Sequence, residues 1–235
     1  MRVFAAASVA EQSKGQEMAR GSERASLPPP DPSFRGKVEV ALKDSEAAFP
    51  EPVKAPQGAP NVLLIMGDDI GYGHMGAFGG PASTPVFDRL ARQGLIFTNF
   101  HTTPVCAASR ACLLTGRNAH SVGMGCVPEA SAGFPGYNAS IPRSAATVLE
   151  ILRQNGYGTA WVGKTHLTPL HEVTISGPFD RWPGGVGAEY FYGFFGPGVS
   201  QWHPPLWENT TPLEAPSTPE EGDARHVSVW AGLYP

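Results

Sequence analysis

A continuous apolar segment at residues 61–66 constrains the fold of this 235-residue chain more than any other feature. The segment reads NVLLIM and lies between Pro60 and Gly67. Continuous rather than alternating hydrophobicity is typical of a strand that is buried on both faces, as in a parallel sheet. We therefore expect a buried strand here, within an α/β domain.

Helices and strands are predicted to alternate over the following hundred or so residues. Thr84 and Pro85 have the residue types of an N-cap and a first helical residue, and that helix is expected to end at Gly94. The other predicted elements are a strand at LIFTNFHTT, a short helix at SRACLLTG that ends at Gly116, an amphipathic helix over residues 144–155 with Val148, Leu149, Ile151 and Leu152 facing inward, and a strand at YGTAWVGK. This order predicts a parallel α/β sheet with right-handed crossovers.

The segments on either side of this pattern lack a sustained period. Residues 1–59 contain LPPPDPSF and FPEPVKAPQGAP, and we expect an extended, Pro-rich arm laid on a neighbouring surface, with one helix near residues 38–48. The apolar run at residues 3–10 lies at the lower length limit of the hydrophobic region of a signal peptide, so an irregular, disordered start is preferred. From Pro178 onward the chain is aromatic and Gly-rich, with no clear period.

Composition and charge argue against several classes of protein. The net charge of −4 argues against a general nucleic-acid binder, because such proteins carry a basic face. No stretch approaches the roughly 20 apolar residues that span a bilayer. The 3 cysteines are too few and too close together for a disulfide scaffold, which favours a reducing, cytoplasmic compartment over the periplasmic or secreted location that stays open.

Polar motifs follow the predicted strands, where the carboxyl ends of a parallel sheet form binding sites. Asp68 and Asp69 come directly after NVLLIM and can hold a divalent cation, although the same residues are common in polar turns. Cys106 is predicted to lie near a helix N-terminus, where the helix dipole favours an anion, and Arg110 can bind a tetrahedral oxyanion. Such a cysteine is either a nucleophile or a buried core residue.

Lys164 and His166 lie in VGKTHLTP, at the end of the last predicted strand. A lysine can hold an anionic group and a histidine can transfer a proton. With the two motifs above, they predict a site with a cation, a nucleophile and positive charge, suited to a substrate that carries a tetrahedral oxyanion.

These motifs together resemble those of the sulfatase family. CAASRACLLTGR is similar to the sulfatase signature, APNVLLIMGDDIGYG to the opening strand and first metal motif, and VGKTHLTP to the G-K-x-H motif. GFPGYNASIP, GPFDRWP and GAEYFYGFFG resemble the bacterial arylsulfatase branch in particular. The resemblance covers roughly residues 27–212 and implies an alkaline-phosphatase-like α/β fold with a mixed, mostly parallel sheet flanked by helices.

The resemblance implies hydrolysis of small-molecule sulfate esters without a nucleic-acid or membrane partner. A formylglycine-generating maturation enzyme is the expected protein partner and would oxidise Cys106 to Cα-formylglycine. One oxygen of the hydrated aldehyde would attack the sulfate sulfur and expel the alcohol. The other hydroxyl would then lose its proton and eliminate sulfate, which restores the aldehyde. Asp68, Asp69 and the modified Cys106 would bind Ca²⁺, or Mg²⁺ in some members.

The same resemblance implies roles for four further residues. Arg110 would hold the formylglycine and share the charge of the metal site. His120, within GRNAHSVGM, matches the family histidine that assists the hydrate. Lys164 and His166 would bind the sulfate and protonate the leaving oxygen.

Some residues depart from the family pattern or match none of it. Ala108 stands where most members have proline; alanine is an accepted variant, so conversion of Cys106 is still expected. Cys112 and Cys126 match no catalytic position and are interpreted as core residues. The histidines assigned to packing or to the surface are His74, His101, His171 and His203.

Family members continue well past the length of this chain. Their continuation carries a second metal motif, an Asp-Asn pair, with another histidine and another lysine. Residues 213–235 do not resemble that continuation. The expected organisation is therefore an arm over residues 1–59, the N-terminal part of a catalytic domain over 60–212 and an irregular tail over 213–235, as in a C-terminally truncated sulfatase.

Two alternatives to a sulfatase follow from the same residues. A phosphonate or phosphate monoester hydrolase of the same superfamily uses similar motifs, because tetrahedral oxyanions differ mainly in charge. The second alternative is an inactive truncated fragment, for which we expect poor solubility and no bound Ca²⁺.

Overall fold

The computed structural model describes residues 3–5, 33–200 and 204–214, and it has an α/β fold. The strands are β1 (Val3–Ala5), β2 (Leu64–Met66), β3 (Ala160–Lys164), β4 (Tyr190–Phe194), β5 (Trp207–Glu208) and β6 (Thr211–Pro212). The α-helices are α1 (Pro85–Gln93), α2 (Cys106–Thr115) and α3 (Val148–Gln154). Short 3₁₀ helices lie at Leu42–Asp44, Gly76–Phe78, Ala119–Val122, Pro128–Ala130 and Leu170–Glu172. Within these described ranges, every helix is too short or too polar to traverse a bilayer.

A mixed four-stranded sheet in the order β3-β4-β5-β6 confirms the predicted α/β class with a mixed sheet and flanking helices. β3 and β4 are parallel, with Lys164 opposite Phe194, and the other two pairs are antiparallel. Among the described strands the sheet is therefore mixed but not mostly parallel, contrary to that part of the prediction. Gly193 allows β4 to approach β3, because a Cβ at this position would lie 2.0 Å from the carbonyl oxygen of Gly163. The sequence predicts β3 but not β4, which lies in the aromatic region without a clear period.

β2 is shorter and more exposed than the apolar segment NVLLIM predicts. It pairs antiparallel with β1, with Val3 opposite Met66, so the prediction of an irregular start is wrong for these residues. Leu64 and Ile65 are each 38% exposed, so the predicted burial on both faces is also wrong. Among the described strands β1 is the one partner of β2, and a two-stranded ribbon cannot bury both of its faces.

The predicted strand at LIFTNFHTT does not form. Residues 95–103 have irregular backbone with a bend, and Leu95 and Phe97 are 85% and 63% exposed. The apolar and β-branched residues of this segment favour a strand only where a neighbouring strand accepts its hydrogen bonds and packs against its side chains.

The helix boundaries follow the predicted capping residues. α1 begins at Pro85 and ends before Gly94, and α2 ends before Gly116, whose φ of 65° is left-handed. Thr84 does not cap a backbone N–H of α1; its hydroxyl instead donates a hydrogen bond to Asp88 over 3.0 Å.

α3 is shorter than the predicted helix over residues 144–155. It begins at Val148 because Thr147 caps it, with the hydroxyl of Thr147 accepting a hydrogen bond from the Glu150 N–H over 3.1 Å. Ile151 is 51% exposed, so the prediction that it faces inward is wrong.

Residues 33–59 are mostly extended, and the predicted helix over residues 38–48 is wrong. One 3₁₀ turn at Leu42–Asp44 forms there, and Val38 and Val40 are 80% and 108% exposed. The arm contacts the end of α3, where the N–H of Ala55 donates to the carbonyl of Gly156 over 3.2 Å. Gly156 permits this contact, because it has a φ of 80° and a Cβ there would lie 2.4 Å from the backbone of the arm.

Two apolar clusters pack against β3, and Trp161 contacts both. The first surrounds α2 and includes Ala107, Ala111 and Met124, each 0% exposed. The second is aromatic, with members Trp182, Phe191 and Phe195 packed against Phe179 and Trp207. The end of β3 is therefore held between two buried clusters.

We expect Trp182→Ala to destabilise the fold by about 3–5 kcal/mol, the usual cost of removing a buried aromatic side chain. Trp182 is 1% exposed, and its ring lies 4.4 Å from that of Phe195. Urea unfolding followed by circular dichroism measures the change. Phe134→Ala is the control, since Phe134 is 70% exposed, and its effect should stay within about 0.5 kcal/mol. Equal effects of the two substitutions would contradict this assignment of the core.

Candidate active site

Cys106 is the first residue of α2, so the helix begins three residues before the predicted start at Ser109 and carries Cys106 at its N-terminus. The preceding residue, Val105, has extended backbone, so the chain enters the helix at the thiol. Ala107 and Ala111 are fully buried on the inner face of α2, which fixes the helix against the core. The half-buried Cys106 therefore lies at the positive end of a ten-residue helix, where negative charge is stabilised.

Lys164, the last residue of β3, joins two separate motifs. Its Nζ donates to Asp68 Oδ2 over 2.7 Å and lies 3.5 Å from Cys106 Sγ. The lysine side chain is 7% exposed and the Asp68 side chain is 33% exposed. A buried ammonium requires such a partner, because its desolvation is otherwise costly.

Arg110, one turn after Cys106 in α2, is buried beside the same aspartate. Its Nη1 donates to the carbonyl of Lys164 over 2.7 Å, and its Nη2 lies 3.5 Å from Asp68 Oδ1. Burial lowers the pKa of the Arg110 guanidinium below its ordinary value, opposed by the negative charges of Asp68 and Cys106. Arginine remains charged under such a shift, so Arg110 and Lys164 bring two cations to one carboxylate.

His166 lies between Cys106 and Glu129. Its Nδ1 is 3.1 Å from Cys106 Sγ, and its Nε2 is 2.9 Å from Glu129 Oε2. The ring is 2% exposed, and the backbone has a left-handed φ of 52°. Burial lowers the pKa of His166 below its ordinary value, while hydrogen bonding to Glu129 opposes that shift.

The structure brings together five residues that the sequence places in the site. They are Asp68, Cys106, Arg110, Lys164 and His166. These contacts show that the five residues are neighbours, and the chemical role of each stays a prediction.

Asp69 and His120, also predicted site residues, do not join these contacts. Asp69 is exposed and has a left-handed φ of 55°. The ring of His120 is exposed and contacts Asn118 and Tyr137 instead.

Glu129 is a site residue that the sequence analysis missed. It belongs to a 3₁₀ turn that is 37 positions from His166 along the chain. No motif or charge pattern marks it, so only the tertiary contact identifies it.

Asp68 has the character of one ligand for a divalent metal ion. Its buried Oδ1 accepts no hydrogen bond, although Arg110 Nη2 lies 3.5 Å away, and carboxylate oxygens are preferred by Ca²⁺ and Mg²⁺. Asp69 supplies a second carboxylate next to it in the chain. The described residues contain no group of three or more His, Cys, Asp or Glu side chains placed to hold a metal ion.

The arrangement combines chemical groups that suit transfer of an anionic group. The thiol of Cys106 lies next to the Lys164 ammonium and the His166 imidazole. The guanidinium of Arg110 lies beside Asp68. Fixed cations in a partly dehydrated site stabilise developing negative charge more strongly than they do in water.

We expect Asp68→Asn to destabilise the chain by about 2–3 kcal/mol, because it leaves the buried cations of Lys164 and Arg110 without their counter-charge. The value lies below that of a fully buried pair, since Asp68 is one-third exposed. Asp69→Asn is the control: Asp69 is exposed and asparagine tolerates its backbone conformation, so its effect should stay within about 0.5 kcal/mol. Urea unfolding compares the two, and a larger effect at Asp69 would contradict the ion-pair assignment.

Comparisons with known proteins identify several sulfatases as relatives. The chain is 32% identical over 182 residues to an arylsulfatase from Klebsiella aerogenes, covering 77% of this chain and 37% of that protein. It is 44% identical over 110 residues to human arylsulfatase A, covering 46% of this chain and 21% of that protein. The matched part thus spans between about a fifth and two-fifths of the length of these relatives.

A solved structure, Ps i-CgsB in complex with k-i-k-neocarrahexaose, is also similar. The TM-score is 0.50 at 26% sequence identity, covering 62% of this chain and 35% of that chain. The sulfatase family model matches residues 60–223, which include every predicted site residue. With well over half of its residues in that match, the chain belongs to the sulfatase family.

Proposed function

We propose that this chain takes part in the hydrolysis of sulfate esters of the arylsulfatase type, with residue 106 as the position of the nucleophile. One observation supports the proposal most directly. Within the sulfatase match, Cys106 Sγ lies within 3.5 Å of both Lys164 Nζ and His166 Nδ1. These two contacts support the proposal that residue 106 supplies the nucleophile, Lys164 a cation and His166 a proton-transferring group.

The charge of each side chain determines its role in the proposed reaction. Lys164 and Arg110 would neutralise the sulfate group and the negative charge that develops on its oxygens. His166 would exchange a proton with the atoms at position 106 or with the leaving alcohol, since imidazole titrates near neutral pH.

The nucleophile is proposed to be Cα-formylglycine, formed from Cys106 by a maturation enzyme. Its hydrate offers two hydroxyl groups on one carbon, which gives a sulfated intermediate an internal route for release of sulfate. A thiol by itself lacks this second group.

A divalent cation, Ca²⁺ or Mg²⁺, is proposed to bind at Asp68 and Asp69 and at the modified residue 106. The buried Oδ1 of Asp68, which accepts no hydrogen bond, supports this position. When bound, the ion supplies positive charge that stabilises an oxyanion. Further ligands are needed, because Ca²⁺ takes 6–8 oxygens.

We expect the full chain, co-expressed with a maturation enzyme and assayed with Ca²⁺, to hydrolyse an aryl sulfate. Cys106→Ala should abolish turnover because it removes the precursor of the nucleophile, whereas Cys112→Ala, which alters a core position on the same helix, should retain it. Mass spectrometry of the peptide with residue 106 reports conversion separately. If Cys106 is converted but no turnover occurs, the proposed activity of this chain is contradicted. Hydrolysis of an aryl phosphonate that is faster than hydrolysis of the aryl sulfate would favour a phosphonate hydrolase.

We expect Ca²⁺ to raise the melting temperature of the chain, because an ion that binds only the folded state stabilises it by mass action. Asp68→Asn and Asp69→Asn should each reduce this rise. Glu39→Gln is the matched control, since it removes a carboxylate that pairs with Lys37 in the arm. Differential scanning calorimetry with Ca²⁺ and with Mg²⁺ measures the shifts. An equal rise in all variants would contradict a metal site at these aspartates.

A further inference from the structure

Glu129 contacts the candidate site from an element outside every predicted motif. The 3₁₀ helix Pro128–Ala130 carries it, and Pro128 is buried. The preceding Val127 packs against the cluster around α2, and the N–H of Ala130 donates to the carbonyl of Val127 over 3.0 Å. The backbone that presents Glu129 is therefore anchored to the same helix that carries Cys106.

The partner of Glu129 is also held firmly. The ring of His166 is 2% exposed, and the neighbouring Thr165 N–H donates to the carbonyl of Phe194 in β4 over 3.0 Å. Among the described residues, His166 Nε2 is the one hydrogen-bond partner of the Glu129 carboxylate, at 2.9 Å. The Glu129 side chain is 32% exposed, so it is partly open to solvent and makes no other polar contact in that part of the chain.

The chemistry of the two groups fixes which nitrogen of His166 carries hydrogen. A carboxylate only accepts hydrogen bonds, so Nε2 must donate to Glu129. Nδ1 is then the nitrogen that faces Cys106 Sγ over 3.1 Å. A carboxylate that orients a histidine in this way sets its tautomer and ring angle.

We propose that Glu129 is a positioning residue that holds His166 with Nε2–H toward its own carboxylate and Nδ1 toward position 106. Glu129 does not contact the reacting atoms and acts through the imidazole. This inference rests on the proposed function for its catalytic meaning, while the orientation of His166 is a structural statement that is measured separately.

The orientation is tested by NMR on the full chain with ¹⁵N-labelled histidine, with the His166 signals assigned from a His166→Asn variant. The wild-type protein should show the Nε2–H pattern of imidazole couplings. E129L removes the acceptor at similar volume and should give mixed tautomers. E129Q keeps an acceptor oxygen and should retain the wild-type pattern. The wild-type pattern in E129L would overturn the proposal, as would an E129Q pattern like that of E129L.

Stability is measured alongside, so that a folding defect is recognised. If E129L unfolds, E129A replaces it, because E129A removes the carboxylate without adding a branched side chain. Mixed tautomers in E129A would then support the proposal, and the wild-type pattern in E129A would overturn it. Glu39→Ala is the matched control, because it deletes an exposed carboxylate of the arm and should leave the His166 pattern unchanged.

Activity provides a second readout in the converted chain. E129L should lower kcat by about tenfold or more, the usual scale for loss of a carboxylate that orients a functional histidine, while KM changes little. E129Q should recover most of the lost rate. If the converted wild-type chain is inactive but E129L still loses the Nε2–H pattern that the wild-type chain shows, the proposed function is contradicted and the positioning role stays supported. Unchanged kcat in an active E129L variant would overturn the positioning role.

Discussion

The ion pair between Lys164 and Asp68 is the interaction on which the rest of the candidate site depends. The two residues are 96 positions apart, and their charged atoms lie 2.7 Å apart. A buried ammonium is stable only beside a counter-charge, so the loop after β2 must meet the end of β3. At the same place Arg110 of α2 lies beside Asp68, and Cys106 of α2 lies beside Lys164.

Two buried apolar clusters hold in place the helix and the strand that carry these charged groups. Small side chains on α2, such as Ala107 and Ala111, pack closely against the first cluster. The aromatic cluster around Trp182 supports the sheet, and Trp161 connects the two clusters through β3. Packing of both clusters against Trp161 supports the strand that ends at Lys164, and the hydrogen bond to Asp68 orients the lysine ammonium.

Much of the site was predictable because its residues occur in compact motifs at strand ends and at a helix start. Cys106 was predicted near the N-terminus of a helix, and Lys164 at the end of a strand, from local sequence patterns. Glu129 was not predictable, since a single glutamate in a turn carries no local signal. The failed strand at LIFTNFHTT and the exposure of β2 have the same cause: strand formation depends on partners elsewhere in the chain.

The sequence by itself determined the membership in the sulfatase family, the helix boundaries at Pro85 and Gly116, and most of the chemical groups of the site. These features depend on residue types at short spacing, which local physical chemistry governs. Only the tertiary structure decided that His166 lies between Cys106 and Glu129, and that His120 lies apart from them. Contacts between distant segments depend on how the sheet and helices pack, and no local pattern in the chain records that packing.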